Sequence, residues 1–166
     1  MSEIVDKMLS RPIATIVIAS CFCNGVAKII GAVNTVVNDN GILTGYTTDG
    51  TGYMRAVEDA GHNIMGKKMT LLGAGGASTA VFVQAALDGL SEISVFSRST
   101  SKFNDRARNI IEKLKDHSSC RVNLYDLEDE TRLRNEISES TILTNGTSVG
   151  MAPDVDASLI NDPSIF

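Results

Sequence analysis

Two stretches of the chain could hold a charged ligand. The first is "MTLLGAGGASTAVF", Met69 to Phe82, in which β-prone residues lead into Gly73, Gly75 and Gly76 and a helix-like run follows. Gly73 permits a tight strand-to-helix turn, and Gly75 removes a side chain where a backbone must approach a pyrophosphate. The helix opening near Ala77 offers free N–H groups and the positive end of its dipole. Ser78 replaces the third glycine of the usual dinucleotide fingerprint and is small enough for close packing. A tight turn with no ligand is the plain alternative. The second stretch is "VFSRSTSK", where a strand that follows the glycines would end. A fold that prefers NAD places Asp or Glu there, about twenty residues on, whereas one that accepts NADP has small polar residues and an Arg. Ser97, Arg98, Ser99 and Thr100 fit the second pattern. The planar fork of Arg98 can stack on adenine and pair with a 2′-phosphate, to which Ser99 and Thr100 can donate. NADP is therefore favoured over NAD, with a solvated loop charge as the plain reading of Arg98.

The elements that must position these loops are legible downstream of about Lys68. Strands are expected at Met69–Leu72, Glu92–Phe96, Arg121–Leu124 and Thr141–Thr144. Helices are expected at Ala77–Leu90, Phe103–Asp116 and Glu130–Ile137, the second with Ala107, Ile110, Ile111 and Leu114 on one face. This alternation implies an α/β fold with a partial Rossmann-type, doubly wound parallel sheet. About four strands are in hand where a full dinucleotide fold has about six. Upstream, Asn40-Gly41 between apolar runs predicts a hairpin. A helix from about Thr51 to Ala60 has Asp49 or Thr51 as candidate caps and Gly61 as its stop. A short helix is plausible at Ser2–Leu9. Otherwise the first thirty or so residues form no clear unit, and the apolar run Pro12–Cys23 reads as a buried strand or helix.

Composition narrows the partners. A net charge of −5 and an aromatic content of 5% with no Trp disfavour nucleic acid. The run Pro12–Cys23 is too short to span a bilayer, and its leader carries Glu3 and Asp6, unlike a signal peptide. No membrane partner is expected. Cys21, Cys23 and Cys120 read as reduced thiols of a cytoplasmic protein, and with His62 and His117 apart from them no metal site is expected.

Five segments in order carry a more specific signal: "GAVNTVV" (Gly31 to Val37), "GYTTDGTGY" (Gly45 to Tyr53), "LLGAGGAST" (Leu71 to Thr79), "SRS" (Ser97 to Ser99) and "NGTSVGM" (Asn145 to Met151). In order and spacing they resemble shikimate dehydrogenases, most of all the quinate/shikimate dehydrogenase branch, over about Ala27 to Phe166. The resemblance implies NAD(P)-dependent hydride transfer to and from a cyclic hydroxy acid. The reaction would interconvert shikimate, or quinate, with its ketone in aromatic amino-acid biosynthesis. Residue by residue it makes Asn34 substrate-binding and Asp49 both substrate-binding and catalytic. Gly73, Ala74, Gly75, Gly76 and Ala77 would hold the pyrophosphate, and Ser97, Arg98, Ser99 and Thr100 the adenosine ribose. Thr147, Ser148 and Met151 would border the nicotinamide ribose. A Lys–Asp pair can move the alcohol proton as the hydride leaves.

The departures from the family pattern shape further expectations. The family's catalytic lysine has no counterpart, since neither Lys7 nor Lys28 stands in a matching context, and Thr47 and Ser97 replace family asparagines. The chain is thus expected to be truncated at both ends. Residues 1–62 would be a remnant of the substrate-binding domain with the interdomain helix, and residues 63–166 an incomplete NAD(P)-binding Rossmann domain. A catalytically inactive fragment that at most binds a dinucleotide is the second reading, with a homo-oligomer possible. A methylenetetrahydrofolate dehydrogenase is a third reading, disfavoured by "GAVNT" with "TDG".

Overall fold

A computed structural model describes residues 22–160 and 162–165. The expected helix Ser2–Leu9 and most of the run Pro12–Cys23 lie outside the described residues. The first elements are β1 (Phe22–Cys23), α1 (Gly25–Ile30), β2 (Thr35–Asp39) and β3 (Ile42–Tyr46). β2 and β3 pair antiparallel, with Asp39 opposite Ile42, and β1 runs parallel to β3. Asn40 and Gly41 take φ values of 50° and 90°, the left-handed turn that their identities predict.

α1 corrects the expectation that nothing defined precedes Gly31. Asn24 is a helix cap as well as a turn residue, its side chain accepting from the Ala27 N–H at 2.8 Å. Gly31, at φ 70°, closes the other end. Six residues are too few for apolar periodicity to show, yet Val26, Ala27, Ile29 and Ile30 are all buried.

α2 (Asp49–Asp59) follows, and here the caps need correcting. Thr48 holds the cap position, but its hydroxyl turns to Asn34 Oδ1 at 3.2 Å and caps no helix N–H. Asp49 instead accepts from Asn34, and Thr51 Oγ1 donates to Gln84 Oε1 at 3.1 Å. Tertiary partners outcompete the local cap at both residues. Gly61 stops the run as expected, at φ 85°.

The second sheet has the order β6-β5-β4-β7, all parallel: β4 (Lys68–Leu72), β5 (Glu92–Ser97), β6 (Arg121–Asp126) and β7 (Ile142–Asn145). The connecting helices are α3 (Gly76–Asp88), α4 (Asn104–Leu114) and α5 (Glu130–Glu139). α3 ends two residues before Leu90 because Gly89 takes the left-handed C-cap at φ 107°. One core joins α1, α2, α3 and α4 to β4 and β5, with Phe82, Val83, Leu71 and Ile93 fully buried. A second packs Leu72 and Phe96 against Leu133 and Ile137 of α5 and against Ile165. The sheet is therefore covered on both faces, as an all-parallel sheet must be.

Candidate functional site

The glycine loop is built by the end of β4 and the start of α3. Gly73 turns the chain at φ 104°, and a Cβ there would lie 2.8 Å from Thr147 Cγ2 and 3.0 Å from Ser78 Oγ. Conformation and space both require glycine. The Gly73 N–H donates to the Phe96 carbonyl at 2.7 Å, which ties the loop to β5. Gly75 and Gly76 differ, for a Cβ on either would meet nothing within 4 Å. What these glycines leave clear is space outside the protein. The first bond into α3 runs from the Thr79 N–H to the Gly75 carbonyl at 2.9 Å. The N–H groups of Gly76, Ala77 and Ser78 therefore lack an acceptor within the helix. These donors, the helix dipole and the clear space fit a pyrophosphate. Ala74 is buried behind them and Ala77 is exposed. Ser78 does the work of the third glycine by another means. It is fully buried and its Oγ donates to the Gly146 carbonyl at 3.0 Å, while a Cβ on Gly146 would collide with that Oγ.

The second loop leaves the neighbouring strand at the same edge, since Leu72 of β4 is in register with Phe96 of β5. Ser97 is the last residue of β5 and is buried, its carbonyl accepting from the Leu127 N–H at 3.0 Å. Arg98, Ser99 and Thr100 are exposed. Among the described residues the Arg98 guanidinium enters no ion pair. The third loop follows β7, whose Asn145 is in register with Leu72 from the other side. Asn145 Oδ1 accepts from the N–H and the hydroxyl of Thr147, at 3.0 and 2.7 Å. That holds Thr147 against Gly73, while Ser148 and Met151 stand exposed. All three predicted cofactor segments thus emerge at the carboxyl ends of three adjacent parallel strands, where open α/β sheets bind their ligands.

Asn34 and Asp49 meet directly. Asn34 Nδ2 donates to Asp49 Oδ1 at 2.7 Å, and Asn34 Oδ1 accepts from the Thr48 N–H and the Thr35 hydroxyl, both at 3.0 Å. The amide is oriented by these partners, and Asp49 Oδ2 has no partner among the described residues. Both side chains are exposed, so a donor and an acceptor stand side by side for a hydroxylated ligand. Thr47, where the family pattern has Asn, is buried and donates to the Ala32 carbonyl at 2.5 Å, fixing the loop that carries Asn34. Lys28 lies on the exposed side of α1, and among the described residues no lysine pairs with Asp49.

Two further residues tie the helix that carries Asp49 to the elements behind the cofactor loops, through contacts that no local pattern announces. Gly50 rests on α3, where a Cβ would run into the Ala80 carbonyl and lie 2.7 Å from Gln84 Cβ. Tyr53 shares a 2.5 Å hydrogen bond with Thr144 of β7. Burial raises the Tyr53 pKa and the bond to Thr144 partly offsets it, so the phenol stays protonated. Cys120 is remote from these loops, and burial, with Glu92 nearby, pushes its thiol up to about 11. It is no nucleophile at neutral pH. Among the described residues no group of three or more His, Cys, Asp or Glu could hold a metal, and no helix is long and apolar enough to cross a membrane.

No family model matches the chain. Individual relatives do. A shikimate dehydrogenase (NADP(+)) of Listeria monocytogenes is 58% identical over 127 residues, covering 76% of this chain and 43% of that protein. A quinate/shikimate dehydrogenase of Escherichia coli is 48% identical over 140 residues, 84% of this chain and 48% of that protein. The crystal structure of L. monocytogenes shikimate 5-dehydrogenase in complex with shikimate and NAD superposes with a TM-score of 0.84 at 51% identity, over 88% of this chain and 50% of that one. The chain spans about half the length of the relatives it matches. Over that half, its three strand-end loops and its Asn34–Asp49 pair stand in a chain homologous to the shikimate and quinate/shikimate dehydrogenases.

Proposed function

We propose that the chain binds NADP in preference to NAD across Gly73–Ala77, Ser97–Thr100 and Thr147–Met151. We propose further that it binds shikimate or quinate at Asn34 and Asp49, so that a hydride passes between the two. Bound nicotinamide supplies the hydride acceptor. The chain supplies the rest. The free N–H groups of α3 hold the pyrophosphate, and Arg98 reads the 2′-phosphate. Asn34 can donate to a ring hydroxyl through the second hydrogen of its Nδ2. Asp49 Oδ2 can accept from a hydroxyl and help to draw off its proton. The observation that carries this reading is the Asn34–Asp49 bond, made at the start of a helix that Gly50 seats on the helix of the glycine loop.

On this reading residues 1–62 belong to a substrate-binding part that includes α2, and residues 63–166 to an NAD(P)-binding part. The protein is cytoplasmic, serves aromatic amino-acid biosynthesis, needs neither nucleic acid nor membrane, and is able to pair as a homo-oligomer. A second reading, a catalytically inactive fragment that binds a dinucleotide only, is favoured by one observation: Asp49 pairs with no lysine among the described residues.

Reduction of NADP and NAD by the purified chain, with shikimate and with quinate, tests the two. Turnover that falls about a hundredfold or more in Asp49→Asn supports the enzyme, about a hundredfold being the lower end for a lost acid–base group. No turnover, with nucleotide binding retained by calorimetry, rules out the enzyme for this chain and leaves the loop assignment standing.

A further inference from the structure

We infer that Asn104 is a positioning residue that sets the discrimination between NADP and NAD by fixing the backbone of the Arg98 loop; this rests on the dinucleotide reading above. Asn104 opens α4 and is 6% exposed. The cap position belongs to Phe103, so Asn104 is the first helical residue and its side chain is free to face the preceding loop. Its Nδ2 reaches back to the carbonyls of Arg98, at 2.9 Å, and Ser99, at 3.2 Å. Its Oδ1 is buried and has no hydrogen-bond partner among the described residues. Rotating the amide would set Oδ1 against two carbonyl oxygens, so the orientation is dictated by the loop.

A buried amide with one orphaned atom is a poor stabiliser of a helix start. Its two donated bonds converge on the residues whose side chains would read the 2′-phosphate. The Arg98 carbonyl also accepts from the Ser101 N–H at 2.9 Å, and the Asn104 N–H donates to the Ser101 carbonyl at 3.2 Å. Residues 98–104 thus form a closed ring of hydrogen bonds with Asn104 at its base. Ser97 anchors the upstream side through Leu127. Between these anchors the Arg98 backbone is held while its guanidinium is left exposed. A bidentate Arg–phosphate contact depends on the direction of the fork, so loosening this backbone should harm a ligand with a 2′-phosphate far more than one without.

The test is calorimetric titration of NADP and NAD into the unaltered chain, Asn104→Leu and Asn104→Asp. Both variants keep the branched side-chain shape, the leucine being somewhat larger, and remove the donor, and only the second adds charge. The ratio of the two dissociation constants is the readout, because a fraction of unfolded protein weakens both ligands equally and cancels. The expected result is about a tenfold loss for NADP with less than about a twofold loss for NAD in both variants. Amide exchange at Ser101 should also quicken in both. An unchanged ratio in either variant overturns the inference while sparing the dinucleotide reading. Failure of the unaltered chain to bind either nucleotide overturns that reading, and the inference with it.

Discussion

Arg98 leaves β5 exposed, and among the described residues its guanidinium has no ion-pair partner. Solvent alone would reward any long polar residue there. A 2′-phosphate would reward a planar fork. Arg98→Ala is therefore expected to weaken NADP about tenfold and NAD by less than about threefold, measured by calorimetry. Equal losses would return Arg98 to an ordinary surface charge. At this scale the sequence was informative where backbone geometry forces a residue type. Gly73 needs a positive φ, Asn40-Gly41 needs two, and both were readable. Asn104 was not, because its role depends on carbonyls five and six residues back in a loop whose path no local rule fixes. Ser97 was read as part of the ribose loop from its place in the chain, and its burial shows only in three dimensions.

Among the elements, the parallel strands were the easiest to read, because β4 and β5 are short apolar runs bounded by turn residues. α1 escaped because one and a half turns carry no periodicity, and its cap residue doubles as a turn residue. The seat of α2 on α3 was invisible as well, since it rests on what glycine lacks. A Cβ on Gly50 would strike the backbone carbonyl of Ala80, which cannot rotate away as a side chain could. Gly50→Ala should therefore cost about 1–3 kcal/mol despite the better helix propensity of alanine. Urea unfolding measures it, and a stabilised variant would mean that the two helices stand apart. A loss of nucleotide affinity beyond that of stability would show that the helix contact also sets the glycine loop.

For the molecule as a whole, a charged cluster around Lys68 closes the sheet end opposite the three loops. Lys68 Nζ lies 2.7 Å from Glu136 Oε2, 2.6 Å from Glu139 Oε2 and 3.8 Å from Glu92 Oε1. Ser94 Oγ donates to Glu136 at 2.5 Å. Burial opposes the charge on Glu136, but hydrogen bonds from Lys68 and Ser94, with the charges of Lys68 and Arg132, together hold its carboxyl below the ordinary 4.5. Burial likewise opposes the Lys68 ammonium, and its bonds to Glu136 and Glu139 together raise it above the ordinary 10.5. A lowered carboxyl contributes stability above its unfolded value and loses it as pH falls through the folded one. A raised ammonium contributes below its unfolded value and loses it as pH rises through the folded one. Lys68→Met should thus cost about 3 kcal/mol at neutral pH, the lower end for a broken buried pair because Glu136 keeps Ser94 and Arg132. The cost should shrink below about pH 4.5 and above about 10.5. Denaturant titrations across pH measure this, and a cost that stays constant down to pH 3 would assign it to lost packing.

The face that α1 and α2 share with α3 has one more consequence. Val26, Ile29, Ile30, Met54 and Val57 lie in the same core as Ala80, Val83 and Met69. The gap between the Asn34 loop and the glycine loop is therefore set by packing and not by the length of chain between them. In the exposed stretch Gly61–Asn63, which joins α2 toward β4, the Gly61 and His62 N–H groups bond to carbonyls of α2, so its slack begins after His62. It should accept extra residues with little change at either loop, because a longer tether costs only a logarithm of its length. A methyl group added at Gly50 would disturb the spacing of the Asn34 loop and the glycine loop more than a turn spliced in after His62.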